Sequence, residues 1–208
     1  MELKPMLFNT EMVRAILSGQ KTCTRRVVKP RFGGSLEVHE DVAGTPRLCE
    51  KCGALCHGLK PPCRPGDILY VRETWNGTTL GNAKVGYTDL YWYKADDKYE
   101  NPADKWRPSI HMPKEAARIF LRVTDVRVER LQKIPGDGCA MEGIPLYSGP
   151  VGERENYYRN AFSVLWDSTI KHTDLDRYGW AANPWVWVIE FERISKEAAL
   201  GGDGDAIP

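Results

Sequence analysis

The stretch Ala117-Arg-Ile-Phe-Leu-Arg-Val-Thr-Asp-Val-Arg-Val-Glu129 alternates apolar and polar residues almost without a break. Successive side chains of a β-strand point to opposite faces, so this alternation predicts a long strand that is buried on one side. A half-buried strand is stable only within a sheet whose apolar face is covered. The stretch therefore indicates a protein built around a β-sheet, and neighbouring segments must supply the other strands.

Further strands and a few helices are predicted on both sides of this stretch. Apolar, β-branched or aromatic runs that predict strands occupy residues 3–8, 21–28, 68–75, 86–94 and 185–194. Helical periodicity with capping signals predicts helices from Asn9 or Thr10 to Gly19, from Pro135 to Glu142 and from Glu153 to Ile170. Pro5 cannot donate to a ladder, so the first strand is expected at a sheet edge. Many strands with helices only in the connections predict an α+β fold, a small mixed β-barrel rather than a parallel α/β sheet.

Composition excludes some classes of protein. The chain has 208 residues, 42% of them hydrophobic and 27% charged, which is typical of an ordinary globular protein. Its net charge of +1 gives no general attraction to nucleic acid, so any anion site must be a local patch. No apolar run approaches the roughly 20 residues of a membrane span, and the start lacks the apolar core of a signal peptide. We therefore expect a cytoplasmic protein whose cysteines are reduced or metal-bound.

Four cysteines and a histidine crowd into Cys49-Glu-Lys-Cys52-Gly-Ala-Leu-Cys56-His57-Gly-Leu-Lys-Pro-Pro-Cys63. Zinc prefers four nitrogen or sulfur ligands in a tetrahedron, and two cysteines two residues apart can reach one ion from a tight turn. The predicted ligands are Cys49, Cys52, Cys56 and Cys63, with His57 as the alternative to Cys56. A site with four protein ligands leaves no position for water, so this Zn²⁺ is expected to be structural.

The cysteine cluster lies in a segment of distinct composition. Residues 31–65 are rich in Gly, Pro and Cys and lack a clean period, so we interpret them as an insertion that contains a zinc knuckle at 49–63. A single domain is expected over residues 1–194, followed by a disordered tail at 195–208 with its Gly-Gly-Asp-Gly-Asp run. Two further cysteines stand apart and are expected to be buried as small apolar side chains: Cys23 and Cys139.

Four motifs of the chain resemble the ASCH family, whose fold is PUA-like. They are Met12-Val-Arg-Ala-Ile-Leu-Ser-Gly-Gln-Lys-Thr-Cys-Thr-Arg-Arg26, Gly66-Asp-Ile-Leu-Tyr-Val-Arg-Glu-Thr-Trp75, Ser109-Ile-His-Met-Pro113 and Trp187-Val-Ile-Glu-Phe191. The resemblance covers most of the chain outside the cysteine insertion, and the long 100–117 loop looks most like the prophage-encoded branch. It implies a β-barrel with a cleft for a nucleobase, a modified pyrimidine nucleoside or a single-stranded RNA segment.

The resemblance also implies catalytic residues. Some small bacterial members hydrolyse the acetyl amide of N(4)-acetylcytidine with a lysine and a threonine of a G-x-K-T-x-T segment and a glutamate after the long strand. That segment is Gly19-Gln-Lys-Thr-Cys-Thr24 here, so the resemblance assigns these roles to Lys21, Thr24 and Glu142. A lysine desolvated in an apolar cleft can lose its proton near neutral pH and act as a base. The carboxyl group can orient a water or carry a proton to the leaving amine.

Lys21 and Thr24 must meet a geometric condition to act together. They are an odd number of residues apart, so in a regular strand their side chains point to opposite faces. They share a cleft only if Lys21 lies on the turn before the strand, which Gly19-Gln20 favours, or if a bulge intervenes. The alternative interpretation of these residues is structural: a solvated lysine after a helix, a β-forming threonine and a helix-end carboxylate.

Six further residues are predicted to line the cleft: Arg25, Arg26, Arg72, Glu73, Trp75 and His111. Arg72 and Glu73 are expected to form an ion pair at its rim. A basic run without an acid suits contact with phosphate, or else is a solvated strand edge: Lys21, Arg25, Arg26, Lys29 and Arg31. Three functions therefore stand beside hydrolysis, namely a non-catalytic RNA-binding module, a ribonuclease and a prophage accessory protein.

Overall fold

A computed structural model describes residues 3–40, 46–52, 55–82, 86–96 and 105–201. Within these ranges, side-chain placement is not described for residues 40, 46–47, 52, 55–56, 80–82 and 86–87. The strands are β1 (Leu3–Leu7), β2 (Cys23–Val27), β3 (Ser35–Glu40), β4 (Pro46–Cys52), β5 (Leu55–Gly58), β6 (Ile68–Arg72), β7 (Trp75–Asn82), β8 (Gly86–Tyr93), β9 (Phe120–Arg130) and β10 (Trp185–Ile194). The α-helices are α1 (Thr10–Leu17), α2 (Gly136–Met141), α3 (Arg154–Thr169), α4 (Leu175–Tyr178) and α5 (Lys196–Ala199).

The predicted α+β class is confirmed, and the sheets are open. The largest sheet has the strand order β1-β6-β9-β10-β2. In it β1 runs parallel to β6, whereas β6 with β9 and β10 with β2 form antiparallel ladders. Strands β3, β4 and β5 form an antiparallel sheet, and β7 pairs with β8 as a hairpin. In the part of the chain that the structure describes, none of these sheets closes into the barrel that we expected, because each strand order has two ends.

The chain divides into two compact units, and the single domain over residues 1–194 stays a prediction. The first unit comprises Met1–Thr22, Pro65–Thr124 and Phe191–Pro208, and the second comprises Cys23–Arg64 and Asp125–Glu190. Each unit is therefore assembled from segments that are distant in sequence. None of the helices in the described ranges is long and apolar enough to cross a membrane.

Local signals at both ends of α1 fix this helix in the first unit. The side chain of Asn9 caps it by accepting a hydrogen bond of 2.8 Å from the backbone N–H of Met12. At the other end Gly19 adopts a φ of +78°, which only glycine takes without strain. The helix buries Val13 and Ile16. Both ends of α1 therefore agree with the predicted helix.

An apolar cluster of the first unit lies around β6 and the start of β9. Its buried members are Ile68, Trp75, Met112, Ala116, Ala117, Phe120, Ile194 and Ala199. The predicted strand at 68–75 is interrupted, because β6 ends at Arg72 and β7 begins at Trp75. The tail prediction is wrong for its first residues, since the Ser195 side chain caps α5 by accepting from Ala198 N–H at 3.1 Å. Residues 202–208 of the predicted tail lie outside the described residues.

The second unit is built on the β2–β10 ladder, against which α3 packs. Its buried apolar residues are Cys23, Leu131, Ile134, Cys139, Ile144, Tyr158, Phe162, Trp166, Val186 and Val188. Both isolated cysteines belong to this core, as expected, and burial raises the pKa of Cys139 to about 12. A thiol with that pKa stays protonated at neutral pH and behaves as a small apolar side chain.

The cysteine-rich segment is more ordered than its composition indicated. Strands β3, β4 and β5 form an antiparallel sheet over the range that we interpreted as an irregular insertion. The Glu50 carboxylate accepts three hydrogen bonds, from the backbone N–H groups of Arg31, Phe32 and Gly34 at 2.6, 2.7 and 2.8 Å. Gly34 is required there because a Cβ would lie 2.2 Å from the carbonyl oxygen of Lys51. One buried carboxylate therefore holds the loop that precedes β3.

Candidate functional site

Lys21 lies on the turn between α1 and β2, as the geometric condition required. Its backbone N–H donates to the Ala15 carbonyl at 2.9 Å, and β2 begins only at Cys23. Its side chain is almost completely buried, with 2% of its surface exposed. The Lys21 ammonium nitrogen lies 5.8 Å from the centroid of the Phe8 ring. The interpretation of Lys21 as a solvated lysine is therefore wrong.

Lys21 borders a cavity of about 330 Å³ in the first unit. The lining residues are Ile16, Leu17, Ser18, Gly19, Lys21, Thr22, Leu121, Phe191, Glu192 and Arg193. The Arg193 guanidinium donates to the Leu17 carbonyl at 3.1 Å, and Glu192 forms an ion pair with Arg122 at 3.1 Å. A volume of this size is at the lower end of the range for small-molecule pockets, roughly 300–1,000 Å³. Lys21 therefore lies in the wall of a cavity with aliphatic, aromatic and charged groups.

Glu142 is positioned by α2 in the second unit. The helix ends at this residue, whose backbone N–H donates to the Gly138 carbonyl at 3.1 Å. The next residue, Gly143, has a φ of +98° and allows the chain to leave the helix. At the start of α2 the Glu155 carboxylate accepts from Gly136 N–H at 3.0 Å and thereby joins this helix to α3. The position of Glu142 is therefore set by contacts at both ends of α2.

Glu142 forms a buried ion pair with Arg25. The Arg25 Nη1 atom lies 3.1 Å from Glu142 Oε1, and 3.8 Å separates Arg25 Nη2 from Glu129 Oε2. Arg25 Nε is buried and has no hydrogen-bond acceptor among the described residues. Burial lowers the pKa of the neighbouring Arg26 below its usual value, and attraction by Glu142 partly offsets that effect. The predicted glutamate thus belongs to an arginine-rich, desolvated environment.

Thr24 is buried on β2, between the apolar Cys23 and the charged Arg25. Only 2% of its surface is exposed, and its Cα partner across the ladder is Ile189. Cys23 and Arg25 share one face of the strand, because Arg25 Nη1 lies 3.8 Å from Cys23 Sγ. Strand alternation places Thr24 on the opposite face from Arg25, which binds Glu142. Thr24 and Glu142 belong to the second unit, whereas Lys21 belongs to the first.

The other predicted cleft residues of the first unit do not line the cavity beside Lys21. The Arg72 guanidinium donates to the Ile110 carbonyl, and the carboxylate of Glu73 binds Arg118 through both oxygens at 2.9 and 3.1 Å. The expected Arg72–Glu73 ion pair is therefore wrong, because Arg118 presents a planar pair of donors to that carboxylate. Burial raises the pKa of Glu73 above its usual value, although Arg118 opposes the shift. Two further predicted residues are placed differently, in the core and at the surface respectively: Trp75 and His111.

The basic run is divided between the interior and the surface. Lys21 and Arg25 are buried, and Arg26 is half-buried. Only Lys29 and Arg31 are exposed. The run is therefore not a continuous stripe of solvated cations, because strand alternation and the two cores take the first three side chains inward.

The predicted zinc ligands are only partly described. Cys63 is buried and Cys49 is half-buried, whereas the side chains of Cys52 and Cys56 lie outside the described set. Among the side chains that are described, no group of three or more His, Cys, Asp or Glu residues could hold a metal ion. In the backbone, Cys49 and Cys52 belong to the same strand, β4, instead of a tight turn. Structural zinc stays a prediction.

Some residues of the Lys21 cavity were not anticipated. Phe191 belongs to the motif Trp187–Phe191 but has no predicted site role, and Thr22 lies between Lys21 and Thr24 without one. Glu192 and Arg193 directly follow the motif that ends at Phe191. This adjacency was the one sequence signal that could have assigned them to the cavity. Comparison with known proteins adds no assignment, because no family model, curated protein or solved structure matches this chain.

Proposed function

We propose that this chain is a PUA-like ASCH protein that binds a modified pyrimidine nucleoside and hydrolyses the acetyl amide of N(4)-acetylcytidine. One observation supports the proposal. The three side chains assigned by the family resemblance, Lys21, Thr24 and Glu142, have exposed fractions of only 2, 2 and 3%. Lysine and glutamate are almost never buried to this extent unless they are paired, as Glu142 is with Arg25. Desolvated ionisable groups are concentrated at functional sites.

In the proposed reaction, the Lys21 amine acts as the base. It accepts a proton from the Thr24 hydroxyl or from a water, and the resulting oxygen nucleophile attacks the acetyl carbonyl. The bond between the carbonyl carbon and the cytosine N4 then breaks, and a proton transferred to N4 completes cytidine. If Thr24 is the nucleophile, water hydrolyses its acetyl ester, and the products are cytidine and acetate in either case. Glu142, held by Arg25 as a carboxylate, orients the water, or it relays to N4 the proton that Lys21 has taken up.

The cavity beside Lys21 supports binding of a nucleoside. Its volume of about 330 Å³ suits a small molecule, and apolar residues such as Phe191 offer contact area for a base. A hydrolytic lysine must reach the substrate in its neutral form, which an apolar wall favours. The cytoplasmic location and the structural zinc of the cysteine-rich segment belong to the same proposal, and no step of the reaction involves that metal.

The proposal is tested by incubating the protein with N(4)-acetylcytidine and measuring released cytidine by chromatography. Removal of a general base lowers the rate by roughly 10²- to 10⁴-fold, so Lys21→Ala is expected to lose turnover to that extent. The control Lys133→Ala removes an exposed lysine and is expected to keep turnover. If Thr24 is the nucleophile, Thr24→Val, which keeps the shape without the hydroxyl, should lose turnover and Thr24→Ser should retain it; if water is the nucleophile, Thr24→Val should retain turnover.

Two results would overturn the enzymatic proposal. One is the absence of cytidine release by the folded wild-type protein, and the other is wild-type turnover by Lys21→Ala. Thermal unfolding of each variant separates loss of chemistry from loss of fold. Binding of nucleoside or RNA without any release of cytidine would instead support the non-catalytic RNA-binding module.

A further inference from the structure

A second concave site lies in the second unit, at the end of β5 and the loop after β2. It has a volume of about 330 Å³ and is lined by Val28, Lys29, Arg31, Gly58, Leu59, Lys60 and Trp187. Three of these residues are cations and none is an acid. All three cationic side chains are exposed, and Trp187 is half-buried. The site therefore combines positive charge with a few apolar side chains.

The three cations of this site have no carboxylate partner in the part of the chain that the structure describes. Among the described residues, no carboxylate forms an ion pair with Lys29, Arg31 or Lys60, and the Lys29 ammonium lies 5.6 Å from the Tyr178 ring centroid. Glu50 is near Arg31 in the structure, but its carboxylate is engaged by backbone N–H groups, including that of Arg31 at 2.6 Å. Three like charges around one hollow repel each other, and a bound anion removes that repulsion.

The cations are held by two separate parts of the chain. Lys29 and Arg31 follow β2, and the loop that carries Arg31 is anchored by the three hydrogen bonds to Glu50. Lys60 follows β5, where the Leu59 N–H donates to the Leu48 carbonyl at 2.9 Å. Fixed backbones around the hollow mean that little ordering is required when an anion binds.

We propose that this hollow binds the phosphodiester of a single-stranded nucleic acid, with one base against Trp187. Arginine and lysine are the usual ligands of phosphate, and an exposed indole face stacks bases without regard to sequence. A volume of about 330 Å³ accommodates roughly one nucleotide. The net charge of +1 argues against an extended duplex surface, so a single strand is the partner that fits a local patch. This inference goes beyond the proposed hydrolysis and does not depend on it, since a nucleoside has no phosphate.

The test is fluorescence anisotropy with a short fluorescein-labelled oligouridylate and the matching oligothymidylate. The double variant Lys29→Ala/Lys60→Ala is expected to bind on the order of tenfold more weakly. Its slope of log affinity against log salt should fall by about 0.7 for each phosphate contact that is lost. The control Lys133→Ala/Lys171→Ala removes two exposed lysines of the same unit and the same total charge, and should bind like the wild type.

Equal weakening in both double variants, or no binding by the wild type, would overturn the proposal. Competition by orthophosphate at matched ionic strength separates the two possible sources of phosphate. If orthophosphate binds as tightly as the oligonucleotides, the site is one for free anions and the nucleic-acid proposal fails. The double variant Lys29→Ala/Lys60→Ala should still release cytidine from N(4)-acetylcytidine if the wild type does, so failure of either proposal is recognised separately.

Discussion

The buried Arg25–Glu142 ion pair makes a quantitative prediction about stability. Arg25→Met removes the guanidinium and leaves a carboxyl group whose side chain is only 4% exposed. Breaking a buried pair by removing one partner costs about 3–5 kcal/mol of the free energy of unfolding. Because Arg26 also attracts Glu142, we expect the lower end of that range, about 3 kcal/mol.

A second ion pair of the same length provides the control. Arg122 and Glu192 are also 3.1 Å apart, but their side chains are 35 and 43% exposed. Ion pairs at this exposure contribute roughly 0–1 kcal/mol, so Arg122→Met is expected to lower the unfolding free energy by no more than about 1 kcal/mol. The two pairs have the same interatomic distance and differ strongly in burial.

Urea unfolding followed by circular dichroism measures both effects, provided that the transition is two-state. The double variant Arg25→Met/Glu142→Leu replaces both charges with apolar side chains and is expected to recover most of the loss. If Arg25→Met is no less stable than Arg122→Met, burial of the pair does not have the energetic consequence that we infer. If the double variant is less stable than Arg25→Met, the loss does not come from an isolated buried charge.

Three further predictions concern a carboxylate, a glycine and the cysteines. Burial raises the pKa of Glu50, but hydrogen bonds from three backbone N–H groups and the charge of His57 outweigh it, so the net pKa is lowered. Its stabilising contribution is complete above the ordinary glutamate pKa of about 4.3 and is lost as the pH falls through the lowered folded value. The protection of the backbone amides of Arg31, Phe32 and Gly34 against hydrogen exchange, after correction for the pH dependence of intrinsic exchange, should therefore fall in acid, and Glu50→Gln should abolish that dependence. Gly143→Ala places a Cβ at a φ of +98° and should lower the unfolding free energy by about 1–2 kcal/mol in urea titrations. Elemental analysis should find one zinc per chain, and Cys49→Ser should lower that content; a metal-free wild type would refute the zinc prediction.

Several parts of the fold could be predicted because their signals are local. The Asn9 cap and Gly19 of α1 and the Pro135 to Gly143 segment around α2 lie within one or two turns of the helices that they delimit. The alternation at 117–129 is likewise a property of consecutive residues. The strands at 35–58 were missed because the loop before them is held by Glu50, which is 16 to 19 residues away from the N–H groups that it binds.

In the candidate site, too, some properties follow from neighbouring residues and others from contacts between distant segments. The motif spacing selected Lys21, Thr24 and Glu142, yet the sequence left open whether these residues were solvated. The tertiary structure decided that all three are buried, because each lies against a core formed by distant segments. The fold also divides the basic run between the interior and the surface. Lys60, which follows β5, lies with Lys29 and Arg31 around one hollow.

The α+β class, the helix ends and the residue types of the candidate site are predictable from the sequence alone. These follow from periodicity and capping, which act between residues a few positions apart. Burial, ion-pair partners and the grouping of cations become visible only in the folded chain. Those properties depend on which distant segments pack together, and the packing decides which charges are removed from water.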